Sequence, residues 1–369
     1  MGAIGCVDEL QDLSMDIPFL SLVKLGIGKP VHNLPQSFDW PSIHTLAVEQ
    51  GLSAIVMDGI ERLPEQLRPP KELTLQWIGE VLQSYEYRYS DYAKAIGELA
   101  AFYSKHGIKL MILKGYGLGL NYPIAKHRPC GDIDTWNFGR QEEADAVLTK
   151  ELGIPVDTSE HHHTVFSWKG YMVENHYDML ITTATKANGQ LEPVLKDLAM
   201  NDTNSIKING NVVYLPSANF NALFLLRHTL MHFVACGMNI RNILDWGFFW
   251  EKEGDKVDKQ WVKDVAEDYH MSVFLNIINA ICVDDLGFDA NIFPCVQFIP
   301  DMKERVLNDT LFPEYDWTEA HKRSLIPRLI FKYKRWKAAS WKRELCYGES
   351  DWESFWTSVK SHLLKPSSI

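Results

Sequence analysis

The stretch that most constrains the fold is an apolar run followed by a glycine-rich turn and a pair of acids. The apolar run, residues 110–113, is followed directly by Lys114 and Gly115. Further along the chain, Asp132 and Asp134 lie on either side of a single isoleucine. If the second segment is a strand, side chains alternate between its faces, so both carboxylates share one face and the isoleucine enters the core. Neighbouring like charges are tolerated when solvent separates them or when a cation neutralises them. Oxygen ligands of this kind suit Mg²⁺ or Mn²⁺.

Composition limits the classes of function. With 369 residues and a hydrophobic fraction of 46%, the chain can bury a core and has room for two domains. A net charge of −11 disfavours broad binding to nucleic acid, so we do not expect a nucleic-acid partner. Six cysteines without a Cys-x-x-Cys pair, and no signal-peptide pattern, favour a cytoplasmic protein. No apolar run reaches membrane-spanning length, so no membrane partner is expected.

The hydrophobic periodicity changes twice along the chain, and this predicts an α+β fold. We expect a small mixed β-sheet core at residues 106–215, between an N-terminal helical region at 1–105 and a C-terminal helical domain at 216–369. Within the core the pattern predicts strands at 108–113, 131–137, 154–159, 162–168 and 171–180, helices at 141–152 and about 190–200, and a hairpin over 205–215 around Asn209-Gly210. Outside the core it predicts helices at 71–105, 217–235, 239–250, 258–282, 319–345 and 350–364.

The segment 171–180 supplies a candidate third acid. In a strand, Glu174, His176 and Asp178 alternate onto one face. Glu174 follows two apolar residues and lies in the middle of the segment, so we select it as the third acid and keep Asp178 in reserve. His176 then supports that acid or contacts a substrate. The alternative is an exposed polar strand face.

The residues around the acid pair provide positive charge for a phosphate. Backbone N–H groups of a glycine-rich turn at a helix start can hold phosphate, so Gly115 is a candidate binding residue. Lys114 and Arg128 would add charge, lysine as a point charge and arginine as a planar fork. Acids for a metal beside bases for a phosphate describe a metal–nucleotide site. A solvated Asp-x-Asp face remains the alternative.

Together these motifs resemble the uncharacterised nucleotidyltransferase family of the DNA polymerase β-type superfamily. The resemblance covers about residues 105–250. It is carried by Leu113-Lys114-Gly115, Tyr122-Pro123, Arg128, Gly131-Asp132-Ile133-Asp134, Val173-Glu174-Asn175-His176, Leu226-Arg227-His228-Thr229-Leu230-Met231-His232, Arg241 and Leu244-Asp245.

The resemblance implies an enzyme that holds a nucleoside triphosphate with two Mg²⁺ ions. An acceptor attacks the α-phosphate and pyrophosphate leaves. Carried over by motif, Asp132 and Asp134 are metal ligands, and Glu174 is the third acidic ligand and a candidate base for the acceptor's proton. The simplest reaction moves AMP from ATP to an unidentified small molecule or protein. The acceptor is expected between the sheet core and the C-terminal helices.

One departure from the superfamily keeps a second hypothesis open. The usual Gly-Ser pair before the acids is replaced by Lys114-Gly115, and Lys114 is a hypothetical substitute for the serine as phosphate contact. The alternative is a catalytically degenerate module that binds a nucleotide or a protein. Retention of all three acids favours the enzyme, whereas the lost Gly-Ser pair favours the module.

The histidines permit weaker metal hypotheses. His161 and His163 share a face if their segment is a strand, although an exposed position, or a place for His163 beside the acceptor, explains them as well. His228 and His232 are spaced i, i+4 on one helix, and with Asp245 they could serve a metal phosphohydrolase. Polar bonds from that helix to Arg241 or Asp245, or an i, i+4 pair between those two residues, explain them more simply.

A basic segment near the C-terminus, residues 328–343, is interleaved with aromatic residues. This pattern fits contact with RNA or with an acidic partner, and it fits a solvated amphipathic helix equally well. The negative net charge favours the helix.

Overall fold

The computed structural model describes residues 18–297, 299–315 and 325–347, which form an α+β fold. In these residues one six-stranded mixed sheet has the strand order β3-β4-β2-β1-β6-β5. The strands are β1 Met111–Ile112, β2 Ile133–Trp136, β3 His163–Trp168, β4 Tyr171–His176, β5 Thr203–Ile208 and β6 Asn211–Pro216. The small mixed sheet that the sequence predicts, with helices before and after it, is therefore confirmed.

Helices occupy most of the remaining described residues. They are α1 at 18–26, α2 Trp40–Glu49, α3 Ser53–Glu61, α4 Lys71–Val81, α5 Arg88–Lys105, α6 Tyr116–Gly119, α7 Gln141–Leu152, α8 Lys186–Asn201, α9 Ala218–Ala235, α10 Ile240–Glu253, α11 Lys259–Asp268, α12 Ser272–Ala280, α13 Pro300–Leu311, α14 Leu325–Ala338 and α15 Ser340–Tyr347. A π-helical segment, Leu82–Tyr87, joins α4 to α5 and makes the long helix predicted over 71–105. None of the helices in the described residues has both the length and the apolar character that a bilayer span requires.

The pairing of the central strands brings the acidic segments together. Strand β2 lies parallel to β4 with Asp134 opposite Glu174, and antiparallel to β1. Strand β3 then pairs with the far side of β4, with His163 opposite His176. Residues that are distant in the sequence therefore lie together on one face of the sheet.

The two faces of the sheet contact different hydrophobic clusters. Ile133 and Val173 pack into a cluster with apolar residues of α5 and α7. Trp136, two residues after Asp134, packs into a larger cluster that includes helices from both the N-terminal and the C-terminal regions. The predicted alternation is confirmed: Ile133 enters the core on one face, and Asp134 points to the other.

The remaining local predictions have mixed outcomes. Segment 154–159 contributes only an isolated bridge between Asp157 and Val165, so the strand predicted there is wrong. The helix predicted over 258–282 is interrupted at His270, whose φ of +57° no continuous helix accommodates. Residues 319–324 and the helix predicted at 350–364 lie outside the described residues. The division into three domains stays a prediction.

Candidate active site

A cavity of about 620 Å³ lies between the acidic face of the sheet and helices α9 and α10. The strands and the loops beside them contribute acids, two histidines and the cations Lys114 and Arg128, whereas the helices contribute histidines, amides, Arg241 and Asp245. The polar residues that line it include Lys114, Arg128, Asp132, Asp134, His162, His163, Glu174, His228, His232, Asn239, Arg241, Asn242 and Asp245. Six of the seven site residues predicted from the sequence line this cavity, namely Lys114, Gly115, Arg128, Asp132, Asp134 and Glu174.

The seventh, His176, lies directly behind the acids. Its Nε2 atom is 3.4 Å from Oδ1 of Asp134 and 3.6 Å from Oε2 of Glu174. Ligand atoms of these three residues all lie within 4.8 Å of one another, so together they can hold a metal ion. Among the described residues Asp132 is not part of this cluster, although it lines the same cavity. The reserve acid, Asp178, forms an ion pair with Lys196 of α8.

Lys114 neutralises the buried carboxylate of Asp134. Its Nζ lies 2.7 Å from Oδ1 of Asp134 and 3.5 Å from Nε2 of His228. Burial raises the pKa of Asp134, but Lys114 and His176 outweigh it and hold that pKa well below its ordinary value. Burial lowers the pKa of His176, and hydrogen bonds to Asp134 and Glu174 more than offset this, so the net shift is upward. Lys114 and His176 thus offset the negative charge of the buried acids.

Asp132 has the opposite shift. Burial, and then the charges of Glu174 and Asp134, raise its pKa. The backbone carbonyl of Asp132 accepts a hydrogen bond of 2.8 Å from the hydroxyl of Tyr92, which fixes the chain just before β2. Asp132 is therefore protonated more readily than an exposed aspartate is.

The turn after Lys114 requires a glycine. Gly115 has a φ of +49°, a conformation that L side chains rarely adopt. A Cβ atom at this position would also lie 2.5 Å from the hydroxyl oxygen of Tyr92. The glycine thus allows the Lys114 backbone to pass close to the hydrogen bond that positions Asp132.

Arg128 is already engaged by an acid from α10. Its Nε and one terminal nitrogen donate to the two carboxylate oxygens of Asp245, at 2.8 and 2.9 Å, and its other terminal nitrogen donates to the carbonyl of Pro129. The hydroxyl of Tyr122 donates to the same carboxylate at 2.7 Å. This buried group joins the helical region to the turn before the acids. A phosphate-binding role for Arg128 stays a prediction.

Because Asp245 pairs with Arg128, the pair between Arg241 and Asp245 that the i, i+4 spacing allows does not form. Arg241 instead lines the cavity and makes no ion pair within the described parts of the chain. Its Nε is buried there without a hydrogen-bond partner. Asn239 and Asn242 cap each other at the start of α10 and hold this part of the wall. The sequence did not reveal Arg241 as an unpaired cation, because its expected partner, Asp245, forms its ion pair with Arg128, which is distant in the sequence.

Two of the adjacent histidines line the cavity, and they are not the pair, His161 and His163, that strand alternation would place on one face. His162 and His163, not His161, come together with His176 to form a second group of possible metal ligands. Burial lowers the pKa of His162 to about 2, and burial also lowers the pKa of His163. Both imidazoles are therefore neutral at pH 7.

His228 and His232 face the cavity from α9. Burial, followed by the charge of Lys114, holds the pKa of His228 well below its usual range and lowers the pKa of His232 to about 4. His232 also contacts the sulfur of Cys236, with Nδ1 3.1 Å from Sγ. In the described residues these two histidines and Asp245 do not form a cluster of ligand atoms, so the phosphohydrolase hypothesis loses its site.

Part of the C-terminal basic segment has a structural role. Lys342 and Arg343 are buried; Lys342 forms an ion pair with Asp309, and Arg343 donates to the carbonyl of Trp336 at 2.7 Å. At least these two charges are therefore not available to a nucleic acid.

Acids on two paired strands thus lie beside a glycine turn and face the cavity. A sequence model of the family described as uncharacterised nucleotidyltransferase matches residues 36–285, and the chain belongs to this family. The match confirms the resemblance seen in the sequence and extends beyond residues 105–250 on both sides.

The comparison with solved structures finds a crystal structure of an antigenic nucleotidyltransferase-like protein from Paracoccidioides brasiliensis. The two chains are 15% identical, the likeness covers 43% of this chain and 75% of that one, and the TM-score is 0.30. A search of curated protein sequences finds no significant match.

Proposed function

We propose that the protein is a Mg²⁺-dependent nucleotidyltransferase that moves a nucleoside monophosphate, most simply AMP from ATP, to an acceptor and releases pyrophosphate. One observation carries the proposal. Asp134 and Glu174 lie opposite each other on parallel strands, and both line a cavity that also contains Lys114 and Arg241. Membership of the nucleotidyltransferase family supports the same reaction.

The acids fit the metal requirement of this reaction. Asp132, Asp134 and Glu174 offer carboxylate oxygens, the ligands that Mg²⁺ prefers. An ammonium group already lies 2.7 Å from Asp134, so this part of the cavity is built to hold positive charge. Bound Mg²⁺ would supply neutralisation of the triphosphate and polarisation of its α-phosphate.

The cations of the cavity would hold the triphosphate. Lys114, which follows β1, and Arg241, on α10, both line the cavity, and the backbone of the Gly115 turn lies beside Lys114. An arginine with unpaired donors can bind two phosphate oxygens at once, whereas lysine acts as a point charge. This arrangement would orient the α-phosphate toward the acids, and orientation with charge stabilisation provides most of the catalysis in phosphoryl-type transfers.

Glu174 would act as the base for the acceptor. Its side chain lines the cavity and is 21% exposed, more than that of Asp134 at 9%. In the proposed step the acceptor oxygen forms a bond to the α-phosphorus, the bond to the pyrophosphate oxygen breaks, and the acceptor's proton passes to Glu174. Apolar residues also line the cavity, among them Met179, Leu225 and Met231, and leave room for a partly apolar acceptor.

The alternative is a catalytically degenerate module that binds a nucleotide or a protein. The contact between Lys114 and Asp134 favours it, because an internal cation occupies the neighbourhood that a metal needs. The module predicts triphosphate binding without dependence on Mg²⁺, or no triphosphate binding at all.

Calorimetry with ATP, with and without Mg²⁺, tests the proposal. We expect Mg²⁺-dependent binding by the wild type and none by Asp132→Ala/Asp134→Ala. The exposed Asp255 lies outside the cavity, so Asp255→Ala is a matched control that should bind as the wild type does. Failure of the intact protein to bind a triphosphate would exclude the catalytic proposal. If the protein does bind ATP with Mg²⁺, release of pyrophosphate in a screen of candidate acceptors would identify the acceptor.

A further inference from the structure

Asp132 lies just before strand β2, in a stretch that packing does not fix. The residue is exposed, as is Gly131 before it, and a Cβ atom on Gly131 would have no heavy atom within 4 Å beyond its chain neighbours. Asp134 and Glu174, by contrast, lie within the paired strands β2 and β4. A metal ligand has to be held within about 0.5 Å of its productive position. Contacts from outside the sheet must therefore position Asp132.

Two side chains of α5 hold the backbone on either side of Gly131. The hydroxyl of Tyr92 donates to the carbonyl of Asp132 at 2.8 Å, and Nε of Arg88 donates to the carbonyl of Cys130 at 2.9 Å. The glycine that packing leaves free is thus tied to one helix at both ends. Arg88 is not among the residues that line the cavity, so its hydrogen bond reaches the acids through the backbone.

Arg88 is fixed in place although it is exposed. Its guanidinium carbon lies 5.0 Å from the centroid of the Tyr171 ring, an arrangement in which the cation and the ring attract each other. The hydroxyl of the same tyrosine donates to the backbone carbonyl of Arg88 at 3.1 Å. Tyr171 begins β4, the strand that carries Glu174. Arg88 is therefore held by one acid-bearing strand while it holds the segment that leads into the other.

The π-helical segment before α5 holds an earlier part of the same connection. Within this segment Glu86 accepts a hydrogen bond of 2.6 Å from Nζ of Lys126, and its other oxygen lies 3.2 Å from Nε2 of His127. Nδ1 of His127 lies 2.7 Å from a carboxylate oxygen of Asp58 in α3. Segments of π-helix are rare and frequently occur at functional sites. This one places Glu86, and Arg88 directly after the segment, against the chain that leads to the acids.

We propose that Arg88 is a positioning residue for Asp132 and acts through the carbonyl of Cys130. The inference rests on the proposed function, in which Asp132 is a ligand of Mg²⁺. Burial is the main cause that raises the pKa of Asp132, and the charges of Lys114 and then Arg88 oppose the rise, so Arg88 is near enough to affect this carboxylate electrostatically. By charge alone, a guanidinium near a metal ligand repels the dication. Removal of Arg88 thus has two effects of opposite sign on Mg²⁺ binding.

Calorimetric titration with ATP at a series of Mg²⁺ concentrations separates the two effects. In Arg88→Gln we expect the Mg²⁺ concentration for half-maximal ATP binding to rise about tenfold, as is typical when a residue that orients a metal ligand is lost. ATP affinity at saturating Mg²⁺ should stay close to that of the wild type. Lys94→Gln removes an exposed cation from the same helix and is the matched control, whose Mg²⁺ requirement should not change. Circular dichroism checks that both variants fold.

Two outcomes of this titration would overturn the proposal. An unchanged or lowered Mg²⁺ requirement in Arg88→Gln would mean that Arg88 acts on the metal only through its charge, or not at all. A loss of ATP affinity that saturating Mg²⁺ does not restore would mean that Arg88 binds the phosphates instead of positioning Asp132.

Hydrogen exchange keeps this test separate from that of the proposed function. Without nucleotide or metal, the backbone amides of residues 130–133 should exchange faster in Arg88→Gln than in the wild type, whereas Lys94→Gln should match the wild type. If the wild type binds no triphosphate, the nucleotidyltransferase proposal fails, and faster exchange would still show that Arg88 holds this segment. Unchanged exchange would exclude the positioning role whatever the result with ATP.

Discussion

Removal of Asp245 should destabilise the protein strongly. Its carboxylate is 7% exposed and accepts two hydrogen bonds from Arg128, whose side chain is 9% exposed. In Asp245→Ala the guanidinium stays buried without its counter-ion, and Tyr122 loses the acceptor of its hydroxyl. Loss of one partner from a buried ion pair typically costs about 3–5 kcal/mol. This is a large fraction of the roughly 5–15 kcal/mol by which folded domains are stable.

Urea unfolding followed by circular dichroism at pH 7 measures this change. The double variant Arg128→Met/Asp245→Leu removes both charges, and it should recover much of the stability because no buried charge remains. The exposed pair between Arg140 and Glu143 provides the control, and Glu143→Gln should leave the unfolding midpoint unchanged.

A loss below about 1 kcal/mol in Asp245→Ala would refute the reasoning. It would mean that another group or solvent neutralises Arg128. An accompanying gain in triphosphate affinity would then indicate that the released guanidinium binds phosphate, as the sequence predicts for Arg128.

Three further variants test the turn at Gly115, the unpaired Arg241 and the buried His232. Gly115→Ala should cost about 2–3 kcal/mol, since it strains a positive φ and displaces the Tyr92 hydroxyl, measured by urea unfolding. Arg241→Ala should weaken ATP binding about 10- to 100-fold in calorimetry, with little change in melting temperature. In the wild type the pKa of His232 is low, about 4, so between pH 6.5 and pH 4 the unfolded chain binds more protons than the folded one. The free energy of unfolding therefore decreases as the pH falls through this window. His232→Gln should remove about 3 kcal/mol of that decrease.

Each of these variants has a counterpart elsewhere in the chain. Gly79 lies in helix α4 with open space around it, so Gly79→Ala should stabilise by about 0.5–1 kcal/mol, and equal losses at both glycines would contradict the steric argument. Arg140→Ala controls for the loss of one positive charge. If Arg140→Ala weakens ATP binding as much as Arg241→Ala does, Arg241 is not part of the ATP-binding site. His32→Gln, at an exposed position, should leave the pH profile unchanged. A profile that stays unchanged in His232→Gln as well would show that His232 titrates normally.

Short-range rules predict the elements that carry the acids. Alternation places Ile133 and Asp134 on opposite faces, and the sheet has them there. The Asn209-Gly210 pair predicts a two-residue hairpin, and both residues have positive φ, 49° and 83°. Ser217 caps α9, since its side-chain oxygen accepts a hydrogen bond from the N–H of Phe220. In these cases neighbouring residues determine the structure.

Contacts between distant residues explain what the sequence did not predict. Asp245 could pair with Arg241 four residues away, yet it pairs with Arg128, 117 residues away, because the turn before β2 packs against α10. The choice of His162 with His163 likewise depends on the register of β3 on β4, which no local pattern determines. Strand 154–159 fails for a related reason: its alternating pattern meets a partner only at Val165, so it cannot extend the sheet.

Lys114 connects the two hypotheses for this protein. Its ammonium group cannot neutralise Asp134 at 2.7 Å and also lie against a triphosphate while a dication binds the same carboxylate. In an enzyme, a metal bound at Asp134 therefore has to displace Lys114, and the released ammonium becomes available to the phosphates of the same nucleotide. Metal and triphosphate then bind cooperatively, because each relieves the charge that the other would leave unpaired. In a degenerate module the contact persists and no such coupling exists. ATP affinity that depends on Mg²⁺ thus supports the enzyme, in which Lys114 leaves Asp134, and ATP affinity that is independent of Mg²⁺ supports the module, in which the contact persists.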